Sequence, residues 1–322
     1  MHITSGTSIL SVPVQCTPDM LPNRPNEDFW QSSFFKKWPQ LPSPEDVRDQ
    51  ARAQYQAGSA PDRRKTFGGT GPQWNPPPAS FESMGLFVKW GANIMIAEGQ
   101  TLYAIRHFLK GSVPVPELYG WRTDGGEVFL YMELVCGQTL EKVCDSLIPN
   151  ERMKVCLQLH TYISNVQCLR QDPQDPFIGN IRREQLYDRA IGEQFMAEAG
   201  PFRSVKEFHD WFIFLCRRPM ADPYFIPIEP FRADLPDDCT IKFTHGDLHP
   251  SNIMVSQSEP SQVVSIFDWE QSGWMPEYWE DRKAHYTAEF KGEWATKYLP
   301  MILHQYESTA EAWWWYTSST GW

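Results

Sequence analysis

Asp247, Asn252 and Asp268 are the residues whose types and spacing carry chemistry in this chain. The first two stand five apart in His245-Gly246-Asp247-Leu248-His249-Pro250-Ser251-Asn252, a stretch that Gly246 and Pro250 keep out of regular structure. Asp268 follows sixteen residues after Asn252, in Ile266-Phe267-Asp268-Trp269-Glu270. A carboxylate and an amide oxygen are hard ligands that suit Mg²⁺, which protein sites usually hold with one or two carboxylates plus substrate phosphates. A remaining aspartate is then free to accept a proton from an attacking hydroxyl. Such a set fits metal-assisted phosphoryl transfer.

These residues need elements to bring them together. Ile253-Met254-Val255 is a short apolar run, residues 257–262 are turn material, and Val263-Val264-Ser265-Ile266-Phe267 is rich in β-branched residues. The pattern predicts a β-hairpin, which returns Asp268 to the neighbourhood of Asn252. Upstream, Gly85-Leu86-Phe87-Val88-Lys89-Trp90 reads as a strand and 94–109 as a helix, with Glu98 in its first turn. A strand lysine and a helix glutamate permit an ion pair that aims the ammonium at nucleotide phosphates. The alternative is an exposed lysine beside a glutamate that merely complements the helix dipole.

The remaining chain sorts by pattern. Residues 1–27 are rich in Ser, Thr, Pro and Asn and read as an unstructured arm. The run 28–38 spaces five aromatics as a short amphipathic helix packed on the body, and Pro44-Glu45-Asp46 opens a second helix to about Ala57. Phe67-Gly68-Gly69-Thr70-Gly71 reads as a plain loop, with a phosphate-covering loop as the alternative, and Asn75-Pro76-Pro77-Pro78 is unfit for an inner strand. Val113 to Gly120 is extended, and a Gly125-Gly126 turn leads to a strand over 128–135, completing a small antiparallel sheet. Past Gly137 the pattern turns helical: 138–147, 150–170, 184–199, 205–217 and stretches of 274–303. In Trp313-Trp314-Trp315 three adjacent side chains cannot share one helix face.

Composition narrows the function. The 322 residues are 41% hydrophobic and 14% aromatic, sufficient for a sizeable core. A net charge of −11 argues against non-specific nucleic-acid or anionic-membrane binding. No apolar run reaches membrane-spanning length, and the N-terminus has no secretory pattern, so a cytoplasmic protein without membrane or nucleic-acid partners is expected. Seven scattered cysteines, odd in number, point to reduced thiols.

On these residues the chain resembles the aminoglycoside phosphotransferase/choline kinase family, and particularly its fungal kinase-like members. The resemblance rests on Phe87-Val88-Lys89-Trp90-Gly91, Ile96-Ala97-Glu98-Gly99, Val113-Pro114-Val115-Pro116, Tyr131-Met132-Glu133-Leu134, the 245–253 loop and Phe267-Asp268-Trp269-Glu270, and covers roughly residues 80–305. It implies an α+β, two-lobed protein-kinase-like fold: a small lobe with an antiparallel sheet plus a helix, and a larger, mostly helical lobe carrying a catalytic β-hairpin. The expected division is an extension over 1–60, partly disordered and then helical, a first lobe over 61–135 and a second over 136–322. The resemblance further implies ATP and Mg²⁺, with Asp247 as catalytic base and Asn252 and Asp268 as metal ligands. Lys89 is implied at the α/β-phosphates, positioned by Glu98, with Glu133-Leu134-Val135 at the adenine and His245 bracing the loop. The poorly matched glycine loop is the departure.

The implied reaction is transfer of the ATP γ-phosphoryl group to a small-molecule hydroxyl. Trp269, Glu270, Trp274, Glu277, Tyr278, Trp279, Glu280 and Asp281 interleave aromatics with acids, which fits a cationic, amine-bearing acceptor; packing beneath the site is the equal alternative. A catalytically silent ATP-binding scaffold is the competing function. A protein kinase is disfavoured, because no D-F-G, A-P-E or Ser/Thr-rich activation segment follows Asp268.

Overall fold

The computed structural model describes residues 8–69, 74–218, 220–224, 230–258 and 260–319. Strands β1 (Val14–Gln15) and β2 (Glu27–Asp28) precede helix α1 (Pro44–Gln56). Then come β3 (Ala79–Phe81), β4 (Leu86–Gly91), α2 (Ile96–Phe108), β5 (Leu118–Asp124) and β6 (Glu127–Glu133). The larger part follows with β7 (Gln138–Thr139), α3 (Leu140–Val143), α4 (Pro149–Val166), β8 (Leu169–Arg170) and α5 (Val205–Leu215). Strands β9 (Ile241–Thr244), β10 (Ile253–Val255), β11 (Val263–Ile266) and β12 (Gly273–Pro276) lead to α6 (Trp279–Thr287), α7 (Leu299–Ile302) and α8 (Ala310–Ser319).

The first lobe is a five-stranded antiparallel sheet in the order β2-β5-β6-β4-β3. Period-two alternation decides its two faces. Leu86, Val88 and Trp90 of β4 join Phe129 and Tyr131 of β6 in a core with Val47 and Ala51 of α1. Leu130 and Met132 point the other way, into a core with Leu102 and Ile105 of α2. A sheet covered on both faces needs apolar residues at nearly every position, which is why β6 reads as one continuous run. Lys89 lies on the α2 face, one residue out of step with Val88 and Trp90. Among the described residues β3 is one of the two edge strands, and the proline run leads straight into it.

The second lobe combines α4–α8 with two small antiparallel sheets, β11-β10-β7 and β12-β9. The expected hairpin is β10–β11, with Ile253 opposite Ile266. Arrangement and class are the α+β, two-lobed form expected. Helix α8 buries Trp313 against Trp279, while Trp314 and Trp315 remain 40% and 50% exposed. The seven cysteines are all free.

Four segments depart from expectation. The arm 1–27 is bound to the body wherever it is described: Leu10 N–H donates to Asn165 Oδ1 (2.8 Å), β1 pairs in parallel with β8, and Gln100 and Trp121 donate to the carbonyls of Pro22 and Arg24. Residues 1–7 of that arm lie outside the described residues. The aromatic run 28–38 forms no helix, because its rings go to different faces of the sheet. Phe29 stacks on Tyr103 of α2, whereas Phe34 packs with Tyr119 in the α1 core. Both β2 and α1 fall within 1–60 and pack with the sheet of the first lobe. Residues 184–199 are turns and a 3₁₀ segment, since the Asp188 carboxylate takes Ala190 N–H and offers the backbone a turn in place of a helix. Residues 138–147 split into β7, α3 and a 3₁₀ turn, because β7 is recruited as a third strand beside β10.

Candidate active site

The 245–252 loop connects β9 to β10 and is fixed from beneath. Gly246 has φ +77°, and a Cβ there would lie 2.4 Å from the Gln271 carbonyl oxygen, so no other residue fits. The buried Glu280 of α6 accepts the N–H groups of His245 (2.5 Å) and Gly246 (3.2 Å). Burial pushes its carboxyl up to about 7 against the pull of those two donors. His245 bonds the Phe267 carbonyl through Nε2 (3.0 Å) and accepts Asp247 N–H at Nδ1 (3.1 Å), which fixes the neutral Nε2–H tautomer. Desolvation lowers its pKa, although the Asp247 charge, the Phe267 carbonyl and Asp268 act in the other direction. The ring links the loop to the end of the hairpin.

Asn252 ties loop to hairpin. Its Nδ2 donates to the backbone oxygen (2.9 Å) and Oδ2 (3.0 Å) of Asp247, and its carbonyl accepts Phe267 N–H (3.0 Å). The hairpin thereby delivers Asp268 beside the loop. Asp268 sits at φ +64°, ψ +60°, the left-handed region that Asp and Asn tolerate better than most residues.

Lys89 is where the two lobes meet. Its Nζ lies 2.9 Å from Glu98 Oε2, 2.6 Å from Asp268 Oδ1 and 2.8 Å from Glu270 Oε2. Burial alone would lower the lysine pKa; the three carboxylates reverse this and hold it well above the ordinary value. Glu98, 3% exposed, is pushed up to about 7 by burial, with Lys89 opposing and Asp268 and Glu270 adding to the rise. The oxygens of Glu98, Asp268 and Glu270 all fall within 4.8 Å of one another.

Hard oxygen donors in this number fit a divalent cation. Among the described residues Asp268 Oδ2 has no hydrogen-bond partner, and Asn252 Oδ1 meets only the Ser251 hydroxyl, at 3.3 Å. Both oxygens are available as ligands.

The 133–135 segment is less open than expected. Glu133 N–H donates to the Glu117 carbonyl (2.8 Å) and Leu134 N–H to that of Gly85 (2.9 Å). Those two donors serve the sheet; of the three, Val135 alone has an N–H without a partner among the described residues. The glycine cluster lies partly outside the described residues, at Thr70 and Gly71. Its Phe67 packs with Tyr55 and Trp90 in the α1 core, and Gly69 abuts Trp74.

The aromatic–acid cluster does not form the cation cage that its sequence suggested. Trp269, Trp274, Tyr278 and Trp279 are buried in the core, so no ring face is offered to a ligand. Glu280 serves the 245–246 backbone, and Asp281 serves Arg282, His285 and the Tyr306 N–H. Only Glu270 reaches the cleft. Its partnership with Lys89 was missed as such, though its position two residues after Asp268 was a usable signal.

Arg189 was missed altogether. Its guanidinium pairs with Glu270 Oε1, and its backbone N–H is held by Gln271 Oε1 (2.9 Å). Next to it, Asp188 is buried and bonds Lys283 (2.6 Å) and Trp279 Nε1 (2.7 Å). Nothing in the local sequence marks this loop.

A family model described as "Phosphotransferase enzyme family" matches residues 97–313. No curated protein matches the chain. Among solved structures, the chain is similar to the streptomycin–ATP–APH(2″)-IIa ternary complex at 12% identity, covering 87% of this chain and 90% of that one, with a TM-score of 0.52. It is also similar to an aminoglycoside-3′-phosphotransferase of type VIII (16% identity, 85% and 99% covered, TM-score 0.47). A thermostable mutant of aminoglycoside phosphotransferase APH(4)-Ia in ternary complex with ADP and hygromycin B gives 12% identity, 78% coverage of each chain and a TM-score of 0.43. Among the described residues no helix is long and apolar enough to cross a membrane.

Proposed function

This chain belongs to the phosphotransferase enzyme family, and from that premise we propose that it moves the γ-phosphoryl group of ATP to a hydroxyl of a small molecule. The observation that carries the reading is that Asp268, on the hairpin tied to Asp247 and Asn252, meets the Lys89–Glu98 pair of the other lobe. ATP enters between the lobes, whose junction is residues 133–135, with the free Val135 N–H directed to the adenine. Lys89 donates to the α/β-phosphates, and Glu98 keeps the ammonium from turning away. Asp247, braced by His245 and Asn252, orients the acceptor hydroxyl and accepts its proton as the oxygen attacks in line. Asn252 Oδ1 and Asp268 would hold Mg²⁺. When bound, that cation neutralises charge on the phosphate oxygens.

The similar ternary complex holds ATP with streptomycin, in line with a nucleotide and a small-molecule acceptor. With the aromatic rings buried, no cation–π cage supports an amine on the acceptor. The test is an untargeted phosphorylation assay on cell extract with mass-spectrometric readout. One acceptor labelled by wild type and not by Asp247→Ala supports the reading; Mg²⁺–ATP binding with no acceptor labelled removes it. A silent nucleotide-binding scaffold is the second reading. It is favoured by the proline run that leads into edge strand β3 where a glycine-rich hairpin was sought.

A further inference from the structure

The cleft holds more acid than its known cation can balance. Glu98, Asp268 and Glu270 surround Lys89, and Asp247 stands in the adjoining loop. A nucleoside triphosphate adds several further negative charges. One lysine already shared among three carboxylates has little charge left for a terminal phosphate. The second cation in this place is Arg189. Glu270 bridges the two, with Oε2 on Lys89 and Oε1 on Arg189, so the guanidinium stands one carboxylate away from the ammonium. Asp268 and Asp247 both act electrostatically on Arg189. Its side chain is 43% exposed, in contrast to the buried Asp188 beside it.

Its backbone is clamped. Gln271 Oε1 accepts both Arg189 N–H and Lys283 Nζ, while Asp188 is locked to Lys283, Trp279 Nε1 and Ala190 N–H. An arginine with a clamped backbone beside a buried ion pair, its guanidinium held on the cleft carboxylate Glu270, is the arrangement of a positioned cation and not of a solvated surface residue.

We propose that Arg189 is a catalytic residue whose guanidinium donates to the γ-phosphoryl oxygens during transfer, one phosphate beyond Lys89. This rests on the phosphotransferase reading. The bond that breaks joins the γ-phosphorus to the β–γ bridging oxygen; the one that forms joins it to the acceptor oxygen. The acceptor proton passes to Asp247, and ADP carries away the bond's electron pair. Arg189 keeps its protons throughout. It exchanges one partner, the Glu270 carboxylate, for another, the equatorial oxygens on which charge accumulates.

The test compares wild type with Arg189→Ala and Arg189→Lys by calorimetry, using AMP-PNP and ADP with Mg²⁺, and by steady-state hydrolysis of ATP to water. Arg189→Ala is expected to weaken AMP-PNP binding by about tenfold and to leave ADP within about twofold. Its ATP hydrolysis should fall by about 10²-fold in kcat, with Arg189→Lys between the two. Equal losses for both nucleotides would make Arg189 a purely structural residue and overturn the proposal. So would unchanged affinities and turnover. If Arg189→Ala melts below the assay temperature, Arg189→Gln, which keeps most of the stem, gives the same comparison. A wild type that binds neither nucleotide overturns the phosphotransferase reading as well. One that binds both while its Arg189 variants match it overturns the arginine assignment alone.

Discussion

Lys89 Nζ lies 2.6 Å from Asp268 Oδ1, an ion pair between the sheet of one lobe and the hairpin of the other, 179 residues apart in the chain. With Glu98 and Glu270 on the same ammonium, the lysine is shared by three carboxylates at once. Lys89→Met should therefore destabilise the fold by about 3 kcal/mol, since it strands buried acid without a partner. Millimolar Mg²⁺ should raise the melting temperature of that variant more than that of wild type, because the cation replaces the lost charge. Equal Mg²⁺ responses in thermal melts would count against the carboxylate cluster as its binding place.

Asp268→Asn keeps a residue suited to the left-handed backbone at this position while removing the charge. Mg²⁺-dependent ATP turnover should drop by about 10²-fold or more with melting nearly unchanged. Asp268→Ala should lose the same activity and in addition about 1 kcal/mol of stability from the backbone strain. Full turnover by the Asn variant would remove Asp268 from the metal site.

Asp247→Asn leaves an oxygen to accept Asn252 Nδ2, so the loop should keep its shape. Nucleotide affinity measured by calorimetry should stay within about threefold of wild type, whereas kcat falls by roughly 10²–10⁴-fold as the proton acceptor is lost. Parallel loss of binding and turnover would assign Asp247 to structure instead of chemistry.

Glu280 offers a pH prediction. Its carboxyl is pushed from an ordinary 4.5 to about 7 by burial. Between those values the folded protein holds a proton that the unfolded chain has released, so stability falls as pH rises from about 4.5 to about 7 and levels off above. The same sign applies to Glu98. Glu280→Gln should flatten this decline in part, leaving the Glu98 share. It should also cost about 1–2 kcal/mol at low pH, because an amide supplies one acceptor oxygen for the two N–H groups of His245 and Gly246. Denaturant titrations at pH 4.5, 6 and 8 check both effects; parallel curves for the two proteins would contradict the assignment.

The N-terminal strap ties the lobes together. It bonds Asn165 and β8 in the second lobe, then Gln100 of α2 and Trp121 of the first, and buries Cys16 and Leu21 on the way. Removing residues 1–25 should cost about 3–5 kcal/mol from lost burial and hydrogen bonds. Because Gln100 sits two residues from Glu98 on the same helix, ATP affinity should weaken too. A truncated protein with wild-type melting and affinity would show the strap to be dispensable.

The amino-acid sequence by itself determined whatever depends on short spacing. Gly246 and Pro250 mark a loop, five residues set Asp247 against Asn252, and β-branched alternation closes a hairpin that returns Asp268. A strand lysine nine residues before a helix-start glutamate yields the Lys89–Glu98 pair. Each is local, governed by backbone preference and side-chain period. Only the tertiary structure decided who shares a partner with whom. It gave Lys89 two more carboxylates, brought Arg189 to Glu270 from a loop with no signature, and set Glu280 beneath the 245–252 loop. It also buried the tryptophans after Asp268, deciding for packing between two readings that the sequence left equal, and split the aromatics of 28–38 between two faces of the sheet. Burial and partnership depend on which surfaces packing presses together, and residues far apart in the chain carry no spacing from which that can be read.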